Sequence, residues 1–357
     1  MSYRIFEQME RYGHEQVIFN YDKTTGLKAI IAIHDSILGP ALGGCRMYPY
    51  PSEDEALEDV LRLSKGMTYK CGISGVDFGG GKTVIIGDPE EKTEGTFRAL
   101  GRFVEMLQGR YYTGVDVGTV PEDFVNANRE SDFIIGLPEE FGGSGNPSVN
   151  TAYGTVMGLK ACVEEKFRSS DLSGVKVAVQ GLGKVGLFLV SHLIEHGALV
   201  TVTDISKDAI EKVQKEYPSV EVVDPDDIYE VDCDIFSPNA LGGVINDFTV
   251  EKLNCKIVAG AANNQLYEEK HGQQLYDKGI LYAPDYIVNA GGLIQASDEI
   301  GGHDKERVRS KTERIYEVLL QVFEISRREG VTPEVAAGKL VDQRIDMVRG
   351  LRSNYVG

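Results

Sequence analysis

The sequence predicts an α/β protein with two domains, the second built on a doubly wound parallel sheet. Three observations support this fold class. The chain has 357 residues, more than one hydrophobic core ordinarily supports. Apolar β-branched runs alternate with helical patterns along most of its length. A glycine-rich turn at residues 181–186 lies between a predicted strand and a predicted helix, as in the first βαβ unit of doubly wound sheets.

Strands and helices alternate in the first part of the chain. Ser52 and Glu55 form a capping box that opens a helix running towards Lys70, and residues 97–107 predict a second helix. Three glycines precede Lys82, which we therefore expect at the mouth of a strand. The predicted strands are the apolar or β-branched runs at residues 27–34, 83–86 and 110–114.

A glycine-rich loop at residues 141–148 is the strongest linker candidate between the two predicted domains. Thr151 is predicted to cap the helix that follows it. Later strands are predicted at residues 175–180, 199–203, 234–237, 256–259 and 280–282. Later helices are predicted at residues 185–196, at residues 304–328 and after Pro333.

The composition argues against several classes of partner. With 37 basic and 55 acidic residues the formal charge is −18, which opposes binding to nucleic acid or to an anionic membrane. No apolar run reaches the roughly 18 residues of a membrane span, and the first residues lack a signal-peptide pattern, so we expect a cytoplasmic protein. Five cysteines without a C-x-x-C pair predict buried free thiols and no metal site.

The glycine turn has the context of a dinucleotide-binding fingerprint. It follows a β-branched run and opens a helix, and Asp204 comes after the next strand, 18 residues beyond Gly186. The glycines would admit a pyrophosphate to the helix amino terminus, and the Asp204 carboxylate would accept hydrogen bonds from the ribose hydroxyls. A carboxylate there would repel a 2′-phosphate, which predicts NAD rather than NADP. The simpler alternatives are a mere tight turn and, for Asp204, a helix cap.

Two lysines near glycine-rich backbone are candidates for the chemistry. The glycines before Lys82 would let a substrate approach the backbone closely, and burial beside a second cation favours the neutral amine that a general base requires. Lys70 would then stay charged and hold a carboxylate, and Asp116 is the natural carboxylate partner of an amine. The simpler alternatives are solvated surface charges for the lysines and a turn or cap aspartate for Asp116.

Several short motifs occur in a characteristic order, at residues 39–47, 65–70, 79–82, 116–119, 261–265, 283–286 and 289–292. Together they resemble the amino-acid dehydrogenases of the glutamate, leucine, phenylalanine and valine family, over essentially the whole chain. The resemblance implies an N-terminal α/β domain for substrate binding and oligomerisation, residues 1–135. It also implies a Rossmann-type NAD-binding domain, residues 136–332, separated from the first by a cleft. The last helix, residues 333–357, would pack back on the first domain.

The resemblance also implies roles for single residues. Lys70 would bind the substrate α-carboxylate, Lys82 would activate the water that attacks the imine, and Asp116 would move protons to and from the amino group. Asn263 would contact the substrate and the nicotinamide side, and Thr151 would orient the carboxamide. The residues implied to contact NAD are Thr151, Gly181, Leu182, Gly183, Lys184, Val185, Gly186, Asp204, Ile205, Ala240, Leu241, Ala261, Ala262 and Asn263.

The side chain of the substrate is expected to be apolar. The family positions that surround the substrate are occupied here by Leu42, Gly43, Gly44, Gly114, Leu293 and Ala296. Glycine at 114 and leucine at 293 resemble the phenylalanine-specific members, so we expect oxidation of L-phenylalanine to phenylpyruvate and ammonia by a homo-oligomer. A leucine or branched-chain enzyme is the first alternative. The second is a non-catalytic sensor, which would be expected to lack Lys82 or Asp116.

Overall fold

The computed structural model describes residues 4–352, which divide into two compact units. The first unit contains the chain up to Asn146, Gln295–Asp304 and the described residues from Val341 onward. The second unit contains Pro147–Ile294 and Lys305–Leu340. The change of unit after Asn146 falls inside the glycine-rich loop at residues 141–148. Two units, each with its own sheet and helices, confirm the predicted fold class.

The first unit is built on a mixed five-stranded sheet with strand order β1-β2-β4-β3-β5. Strand β2 is antiparallel to both β1 and β4, whereas β3 is parallel to both β4 and β5. The elements are α1 (Ile5–Tyr12), β1 (Gln16–Tyr21), β2 (Lys28–Asp35), β3 (Ala41–Tyr48), α2 (Glu53–Ile73), β4 (Gly79–Ile86), α3 (Glu94–Glu105), β5 (Tyr111–Val115) and α4 (Pro121–Asn128).

Helix α2 and helix α3 contribute to separate hydrophobic clusters of this sheet. The Ser52 hydroxyl accepts a hydrogen bond from Glu55 N and caps α2, as the sequence predicts. The second half of the predicted capping box is not formed, because Glu55 Oε1 contacts the Ser52 hydroxyl and not Ser52 N. Leu57 and Leu61 of α2 share a buried cluster with Val84 of β4. On α3 the apolar side chains, Phe97 among them, share a second cluster with alternate residues of the strands. The alternation of side chains along β4 therefore decides which residues meet α2.

Strand β4 differs from the prediction, because it begins at Gly79 and includes the three glycines. These residues pair with β2 on one side and β3 on the other, so Lys82 lies within the strand and not at its mouth. Glycine has a low strand propensity, which hides such a segment from pattern reading. Strands β1 and β3 also lie outside the predicted set, and β3 contains Gly43 and Gly44.

The second unit contains a six-stranded, fully parallel sheet with order β11-β10-β9-β6-β7-β8. Its strands are β6 (Lys176–Gln180), β7 (Leu199–Thr203), β8 (Glu221–Val222), β9 (Ile235–Pro238), β10 (Ile257–Val258) and β11 (Leu281–Tyr282). Its helices are α5 (Pro147–Phe167), α6 (Lys184–Glu195), α7 (Lys207–Glu216), α8 (Thr249–Lys252), α9 (Glu269–Asp277), α10 (Asp285–Val288) and α12 (Lys305–Glu329). Helices α11 (Gly291–Asp298) and α13 (Pro333–Arg352) each contribute residues to both units.

The strand order of the second unit identifies a Rossmann fold. Counted in chain order, its strands read 3-2-1-4-5-6, and the order reverses between β6 and β9. The prediction that Thr151 caps a helix is wrong, because α5 already begins at Pro147. Proline is favoured at the first position of a helix, and the Thr151 hydroxyl donates to the Pro147 carbonyl from the second turn.

Two further expectations concern the cysteines and the membrane. The five cysteines are free, and four of them are buried, as predicted. Within residues 4–352, no helix combines the length and the apolar character that crossing a bilayer requires.

Candidate functional site

Lys82 is a buried lysine on the face of β4 that meets α2. Side chains alternate along a strand, so Lys82 shares this face with Gly80 and Val84. Gly80 is packed so closely against α2 that an added Cβ would collide with Thr68. Lys82 is only 6% exposed, which excludes the alternative of a solvated surface charge.

The Lys82 ammonium has a carboxylate partner in Asp116. Lys82 Nζ lies 2.9 Å from Asp116 Oδ2, and Asp116 directly follows β5. Asp116 begins a tight turn, because Thr119 N donates to its carbonyl at 3.1 Å. The Thr119 hydroxyl also donates to the carbonyl of Cys45 at 3.1 Å, which ties the turn to β3. Asp116 is thus a turn residue, as the simpler alternative predicted, and its side chain also contacts Lys82.

Arg46 is a second cation on the same carboxylate, and the sequence interpretation did not select it. Its Nε donates to Asp116 Oδ2 at 3.2 Å, and its Nη1 donates to Asp59 Oδ2 at 2.9 Å. Arg46 lies two residues after Gly44 on β3, so both face the same side of the sheet. That spacing could have indicated Arg46, but only once β3 had been recognised as a strand.

The charges around Asp116 keep it ionised. Burial opposes ionisation, but Lys82 and then Arg46 outweigh it, so the net pKa of the Asp116 carboxyl is lowered. Gly44 allows the close approach of β3, because a Cβ there would lie 2.9 Å from Asp116 Cβ and 2.8 Å from the Val115 carbonyl oxygen. The first unit therefore presents a carboxylate held between two cations beside bare backbone.

Lys70 lies in the last turn of α2, two residues beyond the point where Thr68 meets Gly80. It is half-buried. Helix α2, which carries Lys70, packs along β4, which carries Lys82. Gly43, which precedes Gly44 on β3, is opposite Thr113 in the β3–β5 pairing. A Cβ on Gly43 would collide with the Gly81 carbonyl.

The expected side-chain pocket residues come from different parts of the fold. Leu42 is buried on β3, and Gly114 is opposite Gly44 on β5. A Cβ at Gly114 would point at the Ile135 carbonyl oxygen, 2.6 Å away, so the space next to this glycine is filled by the backbone of the first unit. Leu293 and Ala296 are both half-buried on α11, the former in the second unit and the latter in the first.

The glycine turn of the second unit lies at the reversal point between β6 and β9. Gly181 has φ of +101°, and a Cβ on it would lie 2.7 Å from Ala240 Cβ beyond the end of β9. A Cβ on Gly186 would collide with the Gly181 carbonyl, whereas one on Gly183 would meet no described atom within 4 Å. The turn is therefore closed by its first and third glycines and open at its second.

Asp204 lies at the carboxyl end of β7, beside this turn. Its Oδ2 accepts a hydrogen bond from Leu182 N at 2.6 Å, and its Oδ1 accepts one from Ser206 N at 2.7 Å. Ser206, and not Asp204, caps α7, which excludes the helix-cap alternative. The next residue, Ile205, is 92% exposed.

The remaining expected cofactor residues gather beyond the ends of β9 and β10. Ala240 and Leu241 are exposed after β9, and Ala261 N donates to Asn239 Oδ1 at 2.9 Å. Asn263 is exposed, and its Oδ1 accepts from Asn289 Nδ2 at 2.8 Å. Ala262 is buried beside them, while Lys184 and Val185 begin α6.

These features fit a dinucleotide. The N-cap of α6 is Gly183, with no side-chain hydrogen bond to the first turn, so the amide groups of Lys184 and Val185 keep their capacity to bind a phosphate. The open side of Gly183 leaves room for that phosphate, and Asp204 is fixed at the strand end where a ribose would lie.

Comparisons with known proteins cover both units. The profile of the Glu/Leu/Phe/Val dehydrogenase dimerisation domain matches residues 14–134, and that of Glutamate/Leucine/Phenylalanine/Valine dehydrogenase matches residues 142–210 and 200–329. A leucine dehydrogenase of Thermoactinomyces intermedius is 52% identical, covering 99% of this chain and 96% of the relative. A phenylalanine dehydrogenase of Bacillus thermotolerans is 54% identical, covering 99% and 93%.

A solved structure is also similar. The L-tryptophan dehydrogenase from Nostoc punctiforme superposes with a TM-score of 0.88 at 46% identity, covering 97% of this chain and 99% of that one. The family profiles span both units, and the relatives share half of all residues over nearly the full length. The chain therefore belongs to the glutamate, leucine, phenylalanine and valine dehydrogenase family and is an NAD-dependent amino-acid dehydrogenase.

Proposed function

We propose that this enzyme catalyses the reversible oxidative deamination of L-phenylalanine. The amino acid, NAD⁺ and water give phenylpyruvate, ammonium, NADH and a proton. The observation that carries the proposal is the buried contact of 2.9 Å between Lys82 Nζ and Asp116 Oδ2. An amine and a carboxylate in contact can hold and exchange the protons that the amino group and the attacking water give up.

The proposed roles in the first unit follow from charge and position. Lys70 binds the substrate carboxylate at the end of α2, and the bare backbone of Gly43 and Gly44 admits the substrate to the sheet. Asp116 takes the proton from the substrate ammonium and returns one to ammonia. Lys82 first gives up its own proton, and as a neutral amine it takes a proton from the water that attacks the imino carbon. When bound, NAD accepts the two electrons and the hydrogen lost from Cα.

The proposed roles in the second unit concern NAD. The amide groups at the start of α6 bind the pyrophosphate, and Asp204 with Ile205 lies at the adenosine ribose. Thr151 orients the carboxamide and Asn263 contacts the substrate and the nicotinamide side. The remaining contacts with NAD are assigned to the backbone or apolar side chains of Gly181, Leu182, Gly183, Lys184, Val185, Gly186, Ala240, Leu241, Ala261 and Ala262.

The proposed substrate has an apolar side chain. Leu42, Gly114, Leu293 and Ala296 offer no cation for a distal carboxylate, which favours an apolar amino acid. Glycine at 114 and leucine at 293 favour phenylalanine by their resemblance to phenylalanine-specific members, while the Ile135 carbonyl occupies the space next to Gly114. Leucine is the second candidate, because leucine and phenylalanine dehydrogenases match this chain at 52% and 54% identity.

The decisive experiment measures kcat/KM with NAD for a panel of apolar L-amino acids. We expect the value for L-phenylalanine to exceed that for L-leucine by about tenfold. An apolar pocket discriminates between substrates by about this factor when the fit changes by one or two methyl groups. A preference for leucine or valine by that factor would reject phenylalanine while keeping the dehydrogenase.

Two variants assign the activity to this site. Lys82→Ala should lower kcat by about 100-fold or more and leave NAD binding intact, because a general base has been removed. Lys92 forms a similar pair with Asp123 at 2.7 Å in the same unit, so Lys92→Ala is the matched control and should stay within about threefold. Equal rates for the two variants would place the base elsewhere.

We further propose that residues 1–135 form the substrate-binding domain through which a homo-oligomer assembles, with the last helix, residues 333–357, packing back on it. Residues 1–3 and 353–357 of these ranges lie outside the described residues. The match of residues 14–134 to a dimerisation domain supports this assembly. Residues 136–332 then form the NAD-binding domain.

A further inference from the structure

Arg46 bridges two carboxylates of the first unit. Its guanidinium reaches Asp116 Oδ2 through Nε at 3.2 Å and Asp59 Oδ2 through Nη1 at 2.9 Å. The side chain is 20% exposed, so most of it lies away from water. A planar guanidinium with two occupied donors has a defined orientation, which a lysine ammonium does not have.

Asp59, on α2, is itself held in place by two side chains. The Tyr50 hydroxyl donates to Asp59 Oδ2 at 2.6 Å, and Arg62 Nη2 donates to Asp59 Oδ1 at 2.9 Å. Arg46 is therefore anchored at one end by a carboxylate that cannot easily turn. A continuous series of polar contacts runs from Tyr50 through Asp59 and Arg46 to Asp116.

Both cations of the site contact the same oxygen of Asp116. Lys82 Nζ and Arg46 Nε lie 2.9 and 3.2 Å from Oδ2. The other oxygen, Oδ1, accepts no hydrogen bond from the side chains and backbone of residues 4–352. One oxygen is thus fixed by the protein and the other remains available.

We propose that Arg46 is a positioning residue of the deamination: with Lys82 it holds Oδ2 of Asp116 and so directs Oδ1 towards the amino group of the substrate. The inference rests on the proposed function, in which Asp116 exchanges protons with that amino group. Arg46 itself acts through Asp116 and touches no reacting atom.

The other titratable groups near Asp116 supply no further positive charge to it. Burial raises the pKa of the Cys45 thiol on β3 and of the Tyr111 hydroxyl on β5, so both are neutral. Burial opposes ionisation of Asp59, but its contacts with Tyr50 and the two arginines leave a lowered pKa.

The remaining charged neighbours are already paired. Asp123 at the start of α4 is engaged with Lys92. Lys82 and Arg46 are thus the cations that the described part of the first unit places on Asp116.

The test compares Arg46→Gln, Arg46→Lys and Arg62→Gln. Arg46→Gln removes the cation from Asp116, and Arg46→Lys keeps a charge there. Arg62→Gln removes the contact at Oδ1 of Asp59, while Oδ2 keeps both Tyr50 and Arg46. Arg46 borders an open depression of about 470 Å³, so its shortening leaves no sealed cavity and the variants should fold. Circular dichroism and thermal unfolding check this.

The first measurement is the titration of Asp116 by its protonated-carboxyl infrared band, assigned by the loss of that band in Asp116→Asn. In Arg46→Gln the midpoint should rise by about one pH unit, because one of two opposite charges is gone. In Arg46→Lys it should return to within about half a unit of the wild type, and in Arg62→Gln it should not move. A merely structural role for Arg46 would lower the melting temperature and leave this midpoint unchanged, which would overturn the inference.

The second measurement is steady-state deamination of L-phenylalanine and L-leucine with NAD. Arg46→Gln should lower kcat by about tenfold or more while KM for NAD stays within about twofold, and Arg62→Gln should keep both values. An unchanged kcat in folded Arg46→Gln would also overturn the inference. If the wild-type enzyme oxidised neither amino acid, the proposed substrates would fail, whereas the infrared titration would still report on Arg46 and Asp116.

Discussion

Asp116 and Asp204 are aspartates that follow parallel strands, and neighbouring groups fix each of them. Asp116 faces two cations, which lower its pKa against the effect of burial. Asp204 accepts from two backbone amides, one of them Leu182 N in the glycine turn. The same residue type at the same kind of strand end thus carries different chemistry, because one is set among side-chain charges and the other among amide dipoles.

The position of Asp204 leads to a prediction about cofactor choice. Asp204→Ser should raise KM for NAD and narrow the preference for NAD over NADP by about tenfold, or about 1.4 kcal/mol, because the carboxylate that repels a 2′-phosphate is gone. Asp208→Ser changes an exposed aspartate in the first turn of α7 and is the matched control. The measurement is NADH and NADPH formation with one amino acid, and an unchanged ratio in Asp204→Ser would show that another group reads the ribose.

At the scale of elements, the contact of α2 with β4 sets the geometry of the lysines. Gly80 lies directly under Thr68, so the helix approaches the strand more closely than side chains would permit. The same helix carries Asp59 and Lys70, and the same strand carries Lys82. A change in this spacing would move the anchored network relative to the buried lysine.

Two glycine-to-alanine substitutions distinguish the cost of a Cβ at the close contact of α2 with β4 from the gain of a Cβ at an open helix position. Gly80→Ala should lower the free energy of unfolding by about 3 kcal/mol, because the added Cβ meets the backbone and hydroxyl of Thr68. Gly66→Ala lies on α2 with no described atom within 4 Å of its Cβ and should raise stability by about 0.5 to 1 kcal/mol. Chemical denaturation of both variants measures this, and equal effects would contradict the close packing.

At the scale of the whole molecule, each unit buries a titratable group whose charged form is destabilised by burial. Burial, together with the neighbouring His34, lowers the pKa of His14 in the first unit from 6.5 to about 3. Burial raises the pKa of Glu334 in the second unit from 4.5 to about 7. Each group prefers the neutral form in the folded state, so the two affect stability with opposite dependence on pH.

The sign for each group follows from proton binding. Between pH 6.5 and about 3 the unfolded chain protonates His14 and the folded chain does not, so stability falls as the pH falls, by up to about 1.4 kcal/mol per unit. Between pH 4.5 and about 7 the folded chain keeps a proton on Glu334 that the unfolded chain releases, so stability falls as the pH rises.

Thermal unfolding over pH 4 to 8 tests these two contributions. In His14→Gln the melting temperature should fall less as the pH is lowered. In Glu334→Gln the melting temperature should fall less as the pH is raised towards 7. His192→Gln, on α6 of the second unit with 30% of its side chain exposed, is the control for the histidine change. The expectation fails if His14→Gln and His192→Gln show the same dependence on pH.

Much of the fold was accessible from local pattern. The capping residue Ser52, the β-branched run before Gly181 and the alternation of the second unit predict elements that the structure contains, within a few residues. The sequence did not predict strands β1 and β3 or the glycine half of β4. Partly polar or glycine-rich strands are stabilised by their neighbours in the sheet and not by their own propensity.

The sequence by itself determined the chemistry that is available: a glycine turn of the dinucleotide type, Asp204 after the next strand, and lysines beside small residues. Only the tertiary structure decided which groups meet. It buried Lys82 against Asp116, and it brought Arg46 and Asp59 into the same network although 57 residues separate Asp59 from Asp116 along the chain. The physical reason is that a mixed sheet and its covering helix join distant segments through register and side-chain alternation, which no local stretch of sequence encodes.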